Sequence, residues 1–297
     1  MTDRLNFDTD GRDWPHREAS RFVTAGGLSW HVQMMGSGPA VLLIHGTGAS
    51  THSWRDVMPL LAQRFTVVAM DLPGHGFTAM PSASSGLSLP GMAGGVAALL
   101  DMLSVKPQIA VGHSAGAAIL ARMCLDQRLD LRTLISLNGA ILPLSGLAGR
   151  IFSPIARALV GFEFIPRLAA RRNEDPAVIA GLLGNTGSKL DARGVELYGR
   201  LAKSPGHVAA ALGMMANWDL GAMEAELPQL KPRVVLVASG LDHMIKPDDA
   251  FRLKDRLANA EVIYLRDLGH LAHEERPAEI SGLIIQHGVQ AGILSVP

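Results

Sequence analysis

The chain has 297 residues, its 27 Lys and Arg balance 27 Asp and Glu, and almost half of its residues are hydrophobic. A chain of this length can bury a sizeable core, and its zero net charge argues against a nucleic-acid binder. The single cysteine, Cys124, excludes an internal disulfide framework and any Cys-x-x-Cys metal or redox motif.

The first residues of the chain carry no targeting pattern. Residues 1 to 22 are polar and acidic, with neither the basic start nor the apolar run of a secretory signal peptide. No apolar run approaches the ~18 to 20 residues that span a bilayer. We therefore expect a cytoplasmic protein in which residues 1 to 19 form an N-terminal extension.

The predicted elements begin with a β-hairpin and continue as an α/β alternation. Residues 20 to 27 and 28 to 36 predict the hairpin, with Gly26-Gly27 as its turn. Continuous apolar runs predict further strands at 40 to 45, 65 to 71, 108 to 113, 131 to 138, 233 to 240 and 261 to 267. Helices are predicted at 53 to 64, 90 to 104, 114 to 128, 248 to 258 and 277 to 286. This order predicts an α/β fold with a mostly parallel eight-stranded sheet and helices on both faces.

The alternation stops after Asn138 and resumes only after Lys231. The intervening residues carry helical patterns and several prolines but no good strand. We predict a helical cap at 141 to 227, inserted into a core made of residues 20 to 140 and 228 to 290.

Two segments of this predicted cap are open to two interpretations. Residues 149 to 172 mix Phe and Leu with Arg, so they form either a solvated basic helix on the core or a surface for a membrane or an anionic substrate. Residues 207 to 218 are rich in Ala and Met, so they form either plain core or a Met-lined wall of a pocket.

The sequence Gly112-His113-Ser114-Ala115-Gly116 matches the G-x-S-x-G nucleophile elbow of α/β-hydrolases, directly between a predicted strand and a predicted helix. The turn must be so sharp that Ser114 takes a strained backbone conformation and projects its hydroxyl above the sheet. A Cβ atom at position 112 or 116 would collide with neighbouring backbone. Ser114 is therefore the candidate nucleophile.

A serine nucleophile needs a base, and the base needs an orienting acid. Asp242 and His270 each follow a predicted strand, in the Ser, acid, His order of this motif, at the sheet edge where Ser114 lies. Competing acids fit less well. Asn138 is uncharged, Asp267 is too close to His270 along the same loop, and Asp248-Asp249 read as a helix start.

The oxyanion of an acyl-transfer reaction needs backbone donors. We predict the amide of Ala115, after the nucleophile, and the amide of Thr47, in the loop that follows strand 40 to 45. Gly46 lets that loop approach the substrate, and His45 and His113 are expected to hold these loops by hydrogen bonds. No metal site and no organic cofactor is expected.

The elbow, acid and base resemble the α/β-hydrolase superfamily across residues 20 to 290. Longer stretches resemble the magnesium-chelatase accessory proteins of bacteriochlorophyll biosynthesis. These include "LIHGTGASTHSWRD", "MDLPGHGFT", "VGHSAGAA", "LGHLAHEERP" and, most specifically, the segment from Asn185 to Leu220. The resemblance implies a role beside magnesium insertion into protoporphyrin, with magnesium chelatase subunits as expected partners and a location that touches the photosynthetic membrane.

Three functions are consistent with this pattern. The leading hypothesis is a serine hydrolase that acts on an ester or acyl bond of an apolar, tetrapyrrole-related compound. The second is a porphyrin-binding or chelatase-assisting protein in which the triad is idle. The third is a cofactor-free haloperoxidase or perhydrolase, which would use the same three residues.

Overall fold

One eight-stranded sheet forms the centre of the computed structural model, which describes residues 4 to 143 and 164 to 296. The strands are β1 (Ser20–Ala25), β2 (Leu28–Met35), β3 (Ala40–Ile44), β4 (Thr66–Met70), β5 (Ile109–His113), β6 (Thr133–Leu137), β7 (Arg233–Ser239) and β8 (Ala260–Leu265). Their spatial order is β1-β2-β4-β3-β5-β6-β7-β8. Strand β2 pairs antiparallel with β1 and β4, and all the other pairs are parallel. The predicted α/β fold with a mostly parallel sheet is therefore confirmed.

Helices connect the strands and cover the sheet. They are α1 (Phe7–Asp10), α2 (Met58–Leu61), α3 (Leu89–Leu103), α4 (Ala115–Leu125), α5 (Phe164–Arg172), α6 (Pro176–Gly184), α7 (Ala192–Ala202), α8 (Pro205–Ala216), α9 (Gly221–Glu224), α10 (Pro247–Lys254), α11 (Ala272–Glu275) and α12 (Pro277–Gln290). Short 3₁₀ helices occupy Arg17–Ala19, Thr51–Trp54, Ser84–Leu87 and Leu227–Gln229.

Both faces of the inner strands β3 to β7 are buried, which explains the continuous apolar runs in the sequence. Along β3, Leu42 and Ile44 pack into the cluster that includes α3 and α4, whereas Val41 and Leu43 pack into the opposite cluster beside α2 and α12. Because successive side chains of β3 pack against apolar residues on opposite faces of the sheet, all of them are apolar. The strand therefore shows no alternation of polar and apolar residues.

The prediction of one helix over residues 53 to 64 was wrong. The structure has a 3₁₀ helix at Thr51–Trp54 and, after a break, only the single turn of α2. Pro59 stands at the start of α2, where its missing N–H is tolerated. A helix continuing from Trp54 through Pro59 would lose a hydrogen bond and place the proline ring against the preceding turn.

The segment predicted as a cap, which is called the cap below, carries α5 to α9 and no strand in its described part, residues 164 to 227. The predicted basic segment 149 to 172 is described only from Phe164 onward, so its first part lies outside the described residues. In the Met-rich segment both interpretations apply, because Met214 is buried core while Met215 and Trp218 line a cavity.

The described part of the N-terminal extension packs onto both the core and the cap. The Trp14 ring is buried against Phe77 and the α7 residues Leu197 and Leu201. Its Nε1 donates a hydrogen bond to Thr51 Oγ1 at 3.2 Å. This segment therefore ties helix α7 of the cap to the edge of the sheet.

Candidate active site

The nucleophile elbow lies where β5 ends and α4 begins, at the carboxyl edge of the sheet. Ser114 has a φ of 51° and a ψ of −118°, which is a strained conformation for a residue with a Cβ atom. A Cβ atom on Gly112 would lie 2.4 Å from the nitrogen of Ala117, and one on Gly116 would lie 2.3 Å from the carbonyl oxygen of Ile44. Both positions therefore require glycine for the steric reason that the motif suggests.

Asp242 and His270 meet on the loops that follow β7 and β8. Asp242 Oδ2 accepts a hydrogen bond from His270 Nδ1 at 2.7 Å, and both side chains are buried. Asp242 Oδ1 accepts from the amides of Met244 and Ile245 at 2.7 and 2.9 Å, which fixes the carboxylate. Because the proton of the neutral imidazole lies on Nδ1, the lone pair of His270 Nε2 is available to a base-catalysed step. The competing carboxylate, Asp267, is exposed on the same loop.

Ser114 and His270 line the same cavity, which has a volume of about 260 Å³ and lies between the sheet edge and the cap. Its other walls are mostly apolar: Leu183, Met215, Trp218, Leu220, Met244 and Ile245. Among the described residues, no Asp, Glu, Lys or Arg lines this cavity. Among the described residues, the Ser114 hydroxyl has no hydrogen-bond partner. A hydrogen bond between a catalytic serine and its histidine is often long in a free enzyme and tightens only when substrate binds.

The predicted oxyanion donors, Thr47 and Ala115, line the same cavity as Ser114. Ala115 is the first residue of α4, so its amide belongs to the turn whose N–H groups lack helical partners. Neither the Thr47 nor the Ala115 amide donates a hydrogen bond to any described residue. Both N–H groups are therefore available to an anionic oxygen bound beside Ser114.

Two buried histidines and a glycine hold the loops around the elbow. His45 Nε2 accepts from the Leu72 amide at 2.9 Å, and its Nδ1 donates to the carbonyl of Gly46 at 2.7 Å. His113 Nε2 donates to the carbonyl of His270 at 3.0 Å. Burial lowers the pKa of His45 and lowers that of His113 well below its usual range, so both rings stay neutral and structural. A Cβ atom on Gly46 would lie 2.9 Å from Ser114 Cβ, so the loop can come this close to Ser114 only with glycine at position 46.

Asn138 has a structural role that sequence reasoning missed, because it was weighed only as an acid and rejected as uncharged. It ends β6 with a φ of 46°, and its Nδ2 donates to the carbonyls of Gly269 and His270 at 3.1 and 2.9 Å. Its Oδ1 accepts from the Ser239 amide at 2.9 Å. One side chain thus joins the ends of β6 and β7 to the loop that carries His270. A polar residue at the end of a buried strand was the available signal.

A second group that the sequence did not reveal is a buried polar cluster behind the cavity. Glu274 accepts hydrogen bonds from Ser53 at 2.6 Å, from Arg55 at 2.5 Å and from the hydroxyl of Tyr198 at 2.8 Å. Burial raises the pKa of Glu274, while Arg55 and the hydrogen bonds oppose that rise. Since Tyr198 also lines the cavity, this cluster connects the core to the cap beside the candidate site.

Within residues 4 to 143 and 164 to 296, no group of three or more His, Cys, Asp or Glu side chains is placed to hold a metal ion. Over the same ranges, none of the helices has the length and apolar character needed to cross a membrane.

Solved structures with the same fold cover nearly the whole chain. An α/β-hydrolase fold protein from Burkholderia ambifaria aligns over 90% of this chain and 97% of its own, with a TM-score of 0.77 and 25% identity. An epoxide hydrolase from Vigna radiata aligns over 91% of this chain and 98% of its own, with a TM-score of 0.73 and 23% identity. At that identity the second likeness supports the fold alone.

Sequence comparisons narrow the family. Residues 39 to 277 match the family model of the alpha/beta hydrolase fold. The magnesium-chelatase 30 kDa subunit of Rhodobacter capsulatus is 35% identical over 275 residues, which is 92% of this chain and 95% of that protein. The chain therefore belongs to the α/β-hydrolase fold family and, within it, to the family of the magnesium-chelatase 30 kDa subunit.

Proposed function

We propose that this protein is a serine hydrolase that cleaves an ester or related acyl bond of an apolar compound. Ser114 Oγ attacks the carbonyl carbon while His270 Nε2 takes the hydroxyl proton and passes it to the leaving alcohol. Asp242 holds the imidazole, and the amides of Thr47 and Ala115 bind the oxyanion. Water, activated by the same histidine, then releases the acid from the acyl-enzyme and restores Ser114.

The observation that carries this proposal is the convergence of three separate loops on one cavity. A serine in a strained turn and a histidine oriented by a 2.7 Å bond to a carboxylate line the same apolar wall. The amides of two further residues that line this cavity, Thr47 and Ala115, have no acceptor among the described residues. These are the nucleophile, base, acid and oxyanion donors that acyl transfer requires.

The cavity favours uncharged, apolar substrate groups. Its walls carry no charged side chain among the described residues, so a carboxylate bound inside would lose its hydration without an ion pair. A volume of about 260 Å³ is at the small end of ligand sites. If the substrate is tetrapyrrole-related, we expect one of its peripheral ester groups to enter the cavity.

The proposed link to bacteriochlorophyll biosynthesis rests on the similarity to the Rhodobacter capsulatus protein and not on the shape of the cavity. The Rhodobacter capsulatus protein is named as a magnesium-chelatase subunit, and the family resemblance associates such proteins with bacteriochlorophyll biosynthesis. We accordingly place this hydrolase beside magnesium chelation, with chelatase subunits as its protein partners. Co-purification of the chelatase subunits with the tagged chain tests that partnership, and recovery of the chain alone would contradict it.

The first experiment is labelling with a fluorophosphonate probe, which reacts with activated serines. We expect one adduct, at Ser114 by peptide mass. Ser114→Ala should abolish the adduct without lowering the melting temperature, because alanine removes only the hydroxyl, and His270→Ala should reduce the labelling rate by at least about 10⁴-fold. An unlabelled wild-type protein that is folded would overturn the proposal.

The two rival functions give different results in the same assays. A porphyrin-binding protein with an idle triad would bind porphyrin equally well as wild type and as Ser114→Ala, and it would hydrolyse none of a series of esters. A perhydrolase would form peracid from acetate and hydrogen peroxide. We expect ester cleavage to exceed perhydrolysis, because no Lys or Arg side chain among the described walls of the cavity would pair with the charge of acetate.

We further propose that helix α5 contacts an anionic membrane surface. Its outward face carries Leu168, which is 65% exposed, together with the exposed Arg171 and Arg172, while Pro166 and Ala170 are buried on the inward face. Apolar residues flanked by arginines adsorb to anionic headgroups.

Sedimentation with lipid vesicles tests this contact. We expect binding to vesicles that contain phosphatidylglycerol and little binding to pure phosphatidylcholine. The double variant Leu168→Ser, Arg171→Glu should weaken it at least tenfold. The matched control Phe251→Ser removes an exposed aromatic residue from α10 and should bind normally. Equal binding of both variants would contradict the proposal.

A further inference from the structure

The backbone around the proposed base is held by hydrogen bonds from outside its own loop. In the base loop, which we define as residues 266 to 271, three consecutive amides have acceptors. They donate from Gly269 to Glu275 Oε1 at 2.8 Å, from His270 to the Thr186 carbonyl at 3.1 Å, and from Leu271 to Ser188 Oγ at 2.8 Å. Two of these acceptors belong to the cap, in the turn between α6 and α7.

This turn, residues 186 to 189, is here named the cap clasp. It fits closely between the base loop and the loop of the proposed acid. Gly187 has a φ of 78°, and a Cβ atom there would lie 1.7 Å from the carbonyl oxygen of Leu241, next to Asp242. A Cβ atom on Gly269 would lie 2.4 Å from both the nitrogen and the Oγ of Ser188. Backbone therefore touches backbone on both sides, and neither glycine can be replaced without displacing the clasp.

The clasp binds backbone N–H groups at and after His270, whereas the core binds the backbone carbonyl of His270. The clasp accepts from the amides of His270 and Leu271, whereas Asn138 and His113 of the core donate to the carbonyl of His270. The peptide groups on both sides of His270 are thus fixed. The direction in which its ring enters the cavity follows from this backbone and from the bond to Asp242.

We propose that the cap clasp is the positioning element of the general base, and that the Ser188 hydroxyl is a positioning residue that acts through the Leu271 amide. This inference rests on the proposed hydrolase function. Ser188 is buried, and the bond that it accepts at 2.8 Å is not replaced by water if the hydroxyl is removed. The cap therefore forms part of the catalytic machinery as well as a wall of the substrate site.

The test compares Ser188→Ala with Ser281→Ala. Ser281 is also a buried serine, on α12, but its Oγ has no hydrogen-bond partner among the described residues. We expect Ser188→Ala to lower the rate of fluorophosphonate labelling and the kcat for p-nitrophenyl butyrate about tenfold, with KM changed less than twofold. Ser281→Ala should change neither. Equal rates in the two variants would overturn the positioning role.

Hydrogen exchange gives a second measurement that does not depend on catalysis. In Ser188→Ala, peptides covering residues 266 to 272 should exchange at least tenfold faster, while the peptide of the β5 to α4 elbow stays unchanged. Unchanged exchange in the base loop would overturn the clasp even if labelling fell. Faster exchange in a protein whose wild type is never labelled would overturn the hydrolase function and the catalytic role of the clasp together.

If Ser188→Ala does not fold, Glu275→Ala provides the second variant. Glu275 is only partly buried, and its carboxylate accepts from the Gly269 amide at 2.8 Å and from the Lys189 amide at 3.2 Å, so it joins the clasp to the base loop. We expect the same pattern with a smaller, three- to fivefold loss of labelling rate. A wild-type rate in this variant would count against the clasp.

Discussion

The nucleophile elbow and the base loop lie at the same sheet edge but are held in different ways. The elbow is fixed locally, because Gly112 and Gly116 allow the chain to turn so sharply that Ser114 takes a φ of 51°. The base loop is fixed from a distance, by Asn138 from β6 and by the cap clasp at residues 186 to 189. A short motif can therefore specify a candidate nucleophile, whereas the position of the candidate base depends on the whole fold around it.

The largest effect is expected from Asp242, the proposed acid that orients the proposed base His270. Asp242→Asn keeps the shape of the side chain but offers an amide to His270 Nδ1, which favours the wrong tautomer. We expect the rate of fluorophosphonate labelling to fall by about 10⁴-fold, with the fold retained. Asp267→Asn is the matched control, because Asp267 is exposed on the same loop and should be neutral. A fall with Asp267→Asn instead would reassign the acid.

The next effect tests the local character of the elbow. Gly116→Ala places a Cβ atom 2.3 Å from the carbonyl oxygen of Ile44, so strand β3 or helix α4 must move. We expect a loss of about 4 kcal/mol in the free energy of unfolding, measured with urea, which is the size that core strain reaches. Gly282→Ala on α12, where nothing lies within 4 Å of the added Cβ, should instead stabilise by up to about 1 kcal/mol. Equal changes in both variants would show that the elbow is not sterically fixed.

A smaller effect tests the long-range support of the base loop. Asn138→Gly permits the φ of 46° but leaves the carbonyls of Gly269 and His270 without their shared donor. We expect a loss of about 2 kcal/mol in unfolding free energy and faster hydrogen exchange in the base loop, with no change in the elbow peptide. Asn259→Ala, which removes one exposed bond of 3.5 Å, is the control. Faster exchange in the elbow as well would mean that the two regions are not held independently.

The smallest effect, counted per residue, is the loss of stability that we expect when the pH is lowered. Seven buried histidines in the described part of the chain have pKa values that burial lowers from the ordinary 6.5. They are His45, His52, His75, His113, His207, His273 and His287, with values of about 4 for His207 and about 3 for His273. Each is neutral in the folded protein and takes up a proton on unfolding below pH 6.5, so stability is present above pH 6.5 and is lost as the pH falls toward each folded pKa.

Urea denaturation between pH 7 and pH 5 measures this loss, which should approach about 1.4 kcal/mol per pH unit for each fully shifted histidine. Because His45 and His113 flank the elbow and His273 follows the base loop, both regions should open together. Constant stability over this range would contradict neutral burial of these rings.

The candidate site was partly readable from the sequence because several of its signals are local. The signals for a strand, a G-x-S-x-G turn and a helix follow one another within a few residues and so support the same interpretation. The ends of two later predicted strands place Asp242 and His270 at the carboxyl edge of the sheet, where Ser114 lies. The helix predicted at 53 to 64 was wrong because a local pattern of apolar residues outweighed the effect of Pro59. Glu274 and Glu275 give no local signal of their roles in the sequence, since Glu274 pairs with Arg55 and Glu275 accepts from the amide of Gly269.

The sequence by itself determined the sheet, the elbow and the order of the candidate nucleophile, acid and base, because glycines, apolar runs and strand ends act within a few residues along the chain. Only the tertiary structure decided how the base is supported. Asn138 and Ser188 are separated from the residues that they hold by 131 and 83 positions or more, and no periodicity or motif encodes such a pairing. Their hydrogen bonds exist because the folded sheet and cap bring buried polar groups together that would otherwise be left without partners.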